Sequence, residues 1–300
     1  MRILLIVATL IASMMLTSCG SSEAKELSVL KMAYLPSEED VERRMKAFNE
    51  LADYLTEEIG IPVELYRTAG YGPIIEAMRS RKIDFGQSGG SFTYMIAHEK
   101  AGVEAVVVRG TSKGRGIYSS IIVTSPSTGI KSIEDVKARQ SELVFAFVDP
   151  ASTSGHLVPR AGLQSMDIDP EGFKRLIYTM NHTNSAMTLM SAKVDVGAIS
   201  RSTFDRMIEA GRLKEEDLVV LWESAPIPNS PIVVRPDLPQ DIKERIAAAF
   251  LKLNEGGPLL ETMREQTGVE DLIYYPANDA MWDPVREIAY NIDMKLLSPP

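Results

Sequence analysis

The sequence predicts an α/β protein of two lobes, each a mostly parallel sheet flanked by helices, joined by a hinge of two chain crossings. Three observations carry this expectation. Short apolar runs alternate with amphipathic stretches along most of the chain, as strands and helices packed on one another require. The alternation starts afresh after residue 120. Three prolines then crowd into WESAPIPNSPIVV, between two extended runs, and mark a crossover rather than another unit. One lobe is therefore expected over 27–119 and 226–300, and the other over 120–225.

The first nineteen residues, MRILLIVATLIASMMLTSC, place Arg2 ahead of an apolar core and small residues ahead of Cys19. This reads as an export signal over 1–18, too short and wrongly flanked to span a membrane. Leu16-Thr17-Ser18-Cys19 resembles a bacterial lipobox, so Cys19 is expected to be lipidated and to open the mature chain; cleavage nearby with Cys19 incidental is the alternative. It is the only cysteine, which leaves no disulfide framework and no thiol catalyst in the body. GSSEAKE follows as a polar tether, so 19–26 is expected to hang an extracytoplasmic domain from a lipid anchor.

LSVLKMAYLP then reads as a strand, and 38–59 as a helix with Val41, Met45, Phe48, Leu51 and Leu55 on one face. PVELYRT, IDFGQSG and EAVVVRG are strands separated by the helices GPIIEAMRSRK and SFTYMIAHEKAG. After the restart, YSSIIVTSPS is a strand and SIEDVKAR a helix whose Ser132 and Asp135 form a capping pair. ELVFAFVDP, FKRLIYTM, VDVGAIS and DLVVLWES are strands with helices between them. Helices at 239–254, 257–267 and 278–292 and a short strand LIYYP complete the chain.

With 32 Lys and Arg against 41 Asp and Glu, the net charge is −9. No basic face is clustered, which argues against nucleic acid as a partner.

FVDPASTSGHLVP joins a strand to a helix, where open α/β sheets bind ligands. A helix start offers unpaired N–H groups and partial positive charge, which suit an anion. Ser152, Thr153 and Ser154 add hydroxyl donors, and Gly155 permits close backbone approach. Pro159, which has no N–H, places the helix start within a turn of them. One hydroxyl would suffice for an ordinary N-cap, worth about 1 kcal/mol; three with a glycine exceed that need and point to an oxyanion.

These residues, with SIEDVKAR before and LQSMDIDP after them, resemble the phosphonate, phosphite and phosphate-type solute-binding proteins of bacterial ABC importers. The matching pattern is Asp149, Pro150, Ser152, Thr153, Ser154, Gly155 and Pro159, and the likeness continues through IEAMRSRKIDFG, KVDVGAIS and the restart after 226. The resemblance implies a two-lobed periplasmic binding protein of type II without a cofactor, a small oxyanion ligand in the cleft, and an ABC permease as partner. It implies ligand contacts from Ser152, Thr153, Ser154 and Gly155, from Tyr71 and Tyr94, and from His182; burial in the core or simple capping is the alternative for the last three. Ser88 and Ser91, at another strand-to-helix junction, are further candidates. Two departures matter. MNHTNSAM replaces a Gly-Ser-His-Asp-like run, and Ser200 and Arg201 stand where some members place an acidic residue or Asn for a substrate ammonium. A ligand without an amine, such as phosphite or methylphosphonate, fits better, with Arg201 as a possible cation and Ser200 as a donor.

Other chemistries fit poorly. Ser154, His182 and Asp195 supply triad residue types, but Ser154 lacks the Gly-x-Ser-x-Gly elbow, so no enzyme is expected. The histidines at 98, 156 and 182 form no metal motif, and GTSKGRG lacks the order of a phosphate loop. The same fold and cleft would also serve a ligand-sensing subunit that signals to a membrane kinase.

Overall fold

The computed structural model describes residues 27–35, 41–114 and 117–292. The export signal, tether and Cys19, and the first residues of the helix expected from 38, lie outside these. The chain runs β1 (Leu30–Tyr34), α1 (Val41–Ile59), β2 (Val63–Arg67), α2 (Tyr71–Arg79), β3 (Phe85–Gln87), α3 (Ser91–Ala101), β4 (Glu104–Thr111) and a two-residue β5 (Ile117–Tyr118). It continues with β6 (Ser120–Thr124), α4 (Ile133–Arg139), β7 (Val144–Phe147), α5 (Val158–Ser165), β8 (Arg175–Tyr178), α6 (His182–Met190), β9 (Val196–Ser200), α7 (Arg201–Glu209) and β10 (Val219–Glu223). Then come β11 (Ile227–Pro228), β12 (Pro231–Val234), α8 (Gln240–Lys252), α9 (Pro258–Thr267), β13 (Leu272–Pro276) and α10 (Asp283–Asn291).

A six-stranded sheet has the order β13-β4-β12-β3-β1-β2, and a five-stranded sheet the order β10-β6-β9-β7-β8. Every strand of the first precedes β5 or follows β11; every strand of the second lies between them. β5 and β11 themselves pair antiparallel, Tyr118 opposite Ile227. The two sheets are mixed rather than mostly parallel. β1 pairs in parallel with β2 and β3, and β7 with β8 and β9, whereas β6 and β12 pair antiparallel with their neighbours. The cause lies at the crossings. β6 and β12 enter their sheets from the β5/β11 ribbon, so they run against the strands that end there. The carboxyl ends of β4 and β10, and of the strands parallel to them, consequently face the gap between the sheets.

One core lies between α1, α8, α9 and a face of the larger sheet, built from residues such as Leu30, Leu55, Phe85 and Phe250. The opposite face carries α2, α3 and α10, and its cluster extends across the gap to Val148, Ala151, Leu157 and Val158. Trp282 is fully buried there and its Nε1–H donates to Asn229 O at 3.0 Å, which fastens α10 beside β11. Burial of each such large side chain is worth about 1.5–3 kcal/mol, so the crossings rest on a packed support.

Candidate functional site

The turn after β7 is shaped by Pro159. Without an N–H, this residue leaves carbonyls one turn back without a helical donor. They find partners elsewhere: Val148 N–H donates to Gly155 O at 2.9 Å and Ser120 Oγ to Ser154 O at 2.7 Å. The segment Thr153–Leu157 forms a single wide π turn, with Leu157 N–H on Ser152 O at 3.1 Å. Ser152 Oγ caps it by accepting from Gly155 N–H at 3.1 Å. Among the described residues, the amides of Thr153 and Ser154 have no acceptor. Two N–H groups at a helix start are therefore left for something outside the chain.

Those amides border a cavity of about 750 Å³ between the sheets, lined by Tyr71, Tyr118, Ser152, Thr153, Ser154, His182 and Ser200 among others. The Tyr71 hydroxyl lies beside the Ser152 side chain, and that of Tyr118 beside Thr153 and Ser154. Burial raises the pKa of both phenols, and the neighbouring serine and threonine hydroxyls only partly offset it. Both tyrosines stay neutral donors near pH 7. His182 opens α6 behind the N-cap Asn181, whose side chain accepts from Asn184 N–H at 2.7 Å. The preceding Met180 is held at φ 73, an uncommon conformation for a side-chain-bearing residue. Its N–H donates to Val148 O at 2.8 Å, so the strained link is pinned to the end of β7. Ser200 N–H donates to His182 Nδ1 at 3.0 Å, and His182 Nε2 lies 3.5 Å from Ser154 Oγ. Burial, aided by the charge of Arg206, brings the His182 pKa down to about 3, so the ring is neutral.

The two halves touch beside the turn. Phe92 N–H, in the first turn of α3, donates to Thr153 Oγ1 at 2.9 Å, and Thr93 Oγ1 donates to Ala151 O at 2.9 Å. Gly90 is needed at this contact, since an added Cβ would lie 2.9 Å from Thr153 Oγ1.

Several expected contacts are placed elsewhere. Tyr94 is fully buried in the core, its ring tilted against Trp282 with centroids 4.7 Å apart, and its hydroxyl donates to Asp279 Oδ1 at 2.7 Å. Ser88 bonds Gly90 O, and Ser91 donates to Pro228 O at 2.5 Å. Neither serine lines the cavity, because each is spent on bracing the β3–α3 junction. Gly155 does not line it either: an added Cβ would fall 2.4 Å from Val148, so the glycine serves close packing rather than ligand approach. Arg201 turns away to Asp205 at 3.1 Å and Glu223 at 3.5 Å. Residues not foreseen take these places. Tyr118 comes from the crossing, and Arg67, Arg109 and Arg206 also line the wall, Arg206 with an N–H on Thr203 Oγ1 at 3.1 Å. The one available signal was a single charge, Arg109, ending the run EAVVVRG.

Among the described residues that line the cavity there is no Asp or Glu. Burial lowers the pKa of Arg109, as it must for a cation short of compensating charge. Among the described residues no group of His, Cys, Asp and Glu could hold a metal ion, and no helix is long and apolar enough to cross a membrane. The arrangement can bind and release an anion; nothing in it supplies an activated nucleophile, because Ser154 faces a neutral ring that donates rather than accepts.

A family model described as the periplasmic phosphonate substrate-binding protein of ABC transporters matches residues 32–274. The chain belongs to this phosphonate-binding family. As a phosphonate-binding family member it is an extracytoplasmic substrate-binding component of an ABC transporter and not an enzyme. It is 27% identical over 245 residues to the phosphonates-binding periplasmic protein of Escherichia coli, covering 80% of this chain and 70% of the relative. It is 24% identical over 281 residues to the phosphate-import protein PhnD of Mycolicibacterium smegmatis, covering 86% of this chain and 84% of that one. Among solved structures, a binding component of an ABC phosphonate transporter from Pseudomonas aeruginosa superposes with TM-score 0.78 at 24% identity, over 90% of this chain and 88% of that one. A Prochlorococcus marinus protein solved in complex with methylphosphonate also gives 0.78, at 17% identity over 89% and 99% of the two chains. Both share the overall α/β fold of this chain, in line with the fold class expected from the sequence.

Proposed function

We propose that the protein captures a phosphonate- or phosphite-like oxyanion that lacks an amine, between two lobes, and delivers it to a membrane permease. The observation that carries this is the charge of the cavity wall, with Arg67, Arg109 and Arg206 present and no carboxylate among its described residues, in a chain of net charge −9. An anion gains from such a wall, while an ammonium group finds no partner in it. The amides of Thr153 and Ser154 are the natural seat for the phosphonate oxygens. Donors from Thr153, Ser154, Tyr71, Tyr118 and the His182 Nε2–H surround that seat. Ser200 acts through His182, and Arg206 adds charge to the wall.

The lobes in this proposal are 27–119 with 226–300, and 120–225, turning about the β5/β11 ribbon. The bonds Phe92–Thr153 and Thr93–Ala151 would latch the closed form that a permease recognises. Leu16-Thr17-Ser18-Cys19 supports acylation at Cys19, with 19–26 as tether to the outer face of the membrane.

Calorimetric titration with phosphite, methylphosphonate, 2-aminoethylphosphonate, phosphate and sulfate tests the ligand class. Micromolar or tighter binding is expected for a phosphonate or phosphite, with 2-aminoethylphosphonate weaker than methylphosphonate. The proposal fails if sulfate or the amine wins, or if nothing binds. Capture of the loaded protein by a permease supports import, and capture by a kinase alone would replace import with sensing. Retention of a Cys19→Ala variant in the membrane fraction would remove the lipid anchor.

A further inference from the structure

We propose that the ligand carries a second acidic group, as a phosphonocarboxylate does, held by Arg109 while the turn at Ser152–Ser154 holds the phosphonate. The inference rests on the oxyanion reading above and narrows it.

Arg109 stands on β4 directly opposite Tyr274 of β13, and its side chain lines the same cavity as the turn. Its guanidinium has no carboxylate or hydrogen-bond acceptor among the described residues, although a partly buried cation ordinarily has one. Arg206 reaches the wall from α7, in the other sheet's half of the protein. Arg109 thus reaches the cavity from the larger sheet, beside Tyr274, while the turn and His182 reach it from the other half of the protein. A phosphonate seated on the turn leaves Arg109 for a second acidic group.

Space agrees with charge. At about 20–30 Å³ per non-hydrogen atom, the five of methylphosphonate need on the order of 100–150 Å³, against a cavity of about 750 Å³. A second acid one to three carbons away would reach toward Arg109. The lining also includes Leu51, Phe250 and Leu272, which would not pair with an amine.

The test is calorimetry on the whole protein with methylphosphonate, phosphonoacetate and 3-phosphonopropionate, for the native chain and for Arg109→Gln. At least one of the two phosphonocarboxylates should bind about tenfold or more tighter than methylphosphonate, which requires about 1.4 kcal/mol. Arg109→Gln should weaken the preferred phosphonocarboxylate at least about fivefold more than methylphosphonate, and so erase that preference. Equal or weaker binding of both diacids by the native protein overturns the proposal, and needs no variant to fold. Equal losses for all three ligands in Arg109→Gln overturn it too, since Arg109 would then serve the shared phosphonate. If none of the three binds the native chain, the oxyanion reading falls with it.

Discussion

Ser200 N–H donates to Nδ1 of His182 at 3.0 Å, and the ring's other nitrogen faces Ser154 Oγ at 3.5 Å. A backbone donor on Nδ1 leaves the proton of the neutral ring on Nε2, so His182 enters the cavity as an uncharged donor. With its pKa down at about 3, the ring keeps that form across pH 5–8. Ligand affinity, corrected for the ligand's own ionisation, should vary by less than about twofold between pH 5.5 and 7.5. His182→Gln, which retains an N–H, should lose less than His182→Ala, for which about 1.5 kcal/mol is expected. A tenfold weakening as pH rises through 6.5 would mean that the imidazolium binds, contrary to this geometry.

Acid stability follows from the same burial. Burial takes His156 down to about 4 and His182 to about 3. The unfolded chain takes up protons below about pH 6.5 that the folded one refuses. Stability should be complete above that pH and decline as pH falls toward 4, by up to about 1.4 kcal/mol per unit for each ring. Asp279 acts in a lower window. Burial pushes its carboxyl up, but the Tyr94 hydroxyl and Arg286 outweigh this and hold it below its ordinary 3.8, so its contribution is lost only below about that pH. Urea unfolding at pH 7, 6 and 5 checks the order; equal midpoints would contradict it.

Two tyrosines should separate packing from binding. Tyr94→Phe deletes the bond to Asp279 and is expected to cost about 1 kcal/mol of stability with no change in affinity. Tyr118→Phe deletes a hydroxyl of the cavity wall beside Thr153 and Ser154 and is expected to weaken ligand binding by about tenfold with little effect on stability. Paired unfolding and calorimetry decide this. The reverse pattern would return Tyr94 to the site.

At Gly155 even a methyl group is too much. Its carbon would sit 2.4 Å from Val148, and overpacking of this kind costs about 1–3 kcal/mol. Gly155→Ala should therefore lower the urea midpoint and, by displacing the Thr153 and Ser154 amides, weaken ligand binding as well. Native-like stability in that variant would show that the turn can shift freely.

Much of this was legible before any coordinates. Strand and helix periods differ, so the alternation and its restart emerged from side-chain spacing alone, and the prolines near 226 marked the return crossing. The turn after β7 was legible because its chemistry is local: Ser152 to Gly155 and Pro159 act within a few residues of each other. Tyr94 and Arg109 were not, because each role depends on a distant partner. Tyr94 is buried only because Trp282 and Asp279 arrive nearly two hundred positions later. Arg109 faces the cavity only through the pairing of β4 with β13, and Tyr118 only through the path of the crossing. Reversal of β6 and β12 was hidden for the same reason, since strand direction is set by where the chain re-enters a sheet.

The cationic lining lies within a chain of net charge −9, and the two act over different ranges. An approaching anion is repelled while it is far away and attracted only once inside the mouth. Capture kinetics should therefore quicken as added salt shortens the repulsive field, whose reach is about 10 Å at 0.1 M. Scavenging would then work best in brine-like surroundings and slow in dilute water, the opposite of a binder that draws its cargo in from afar.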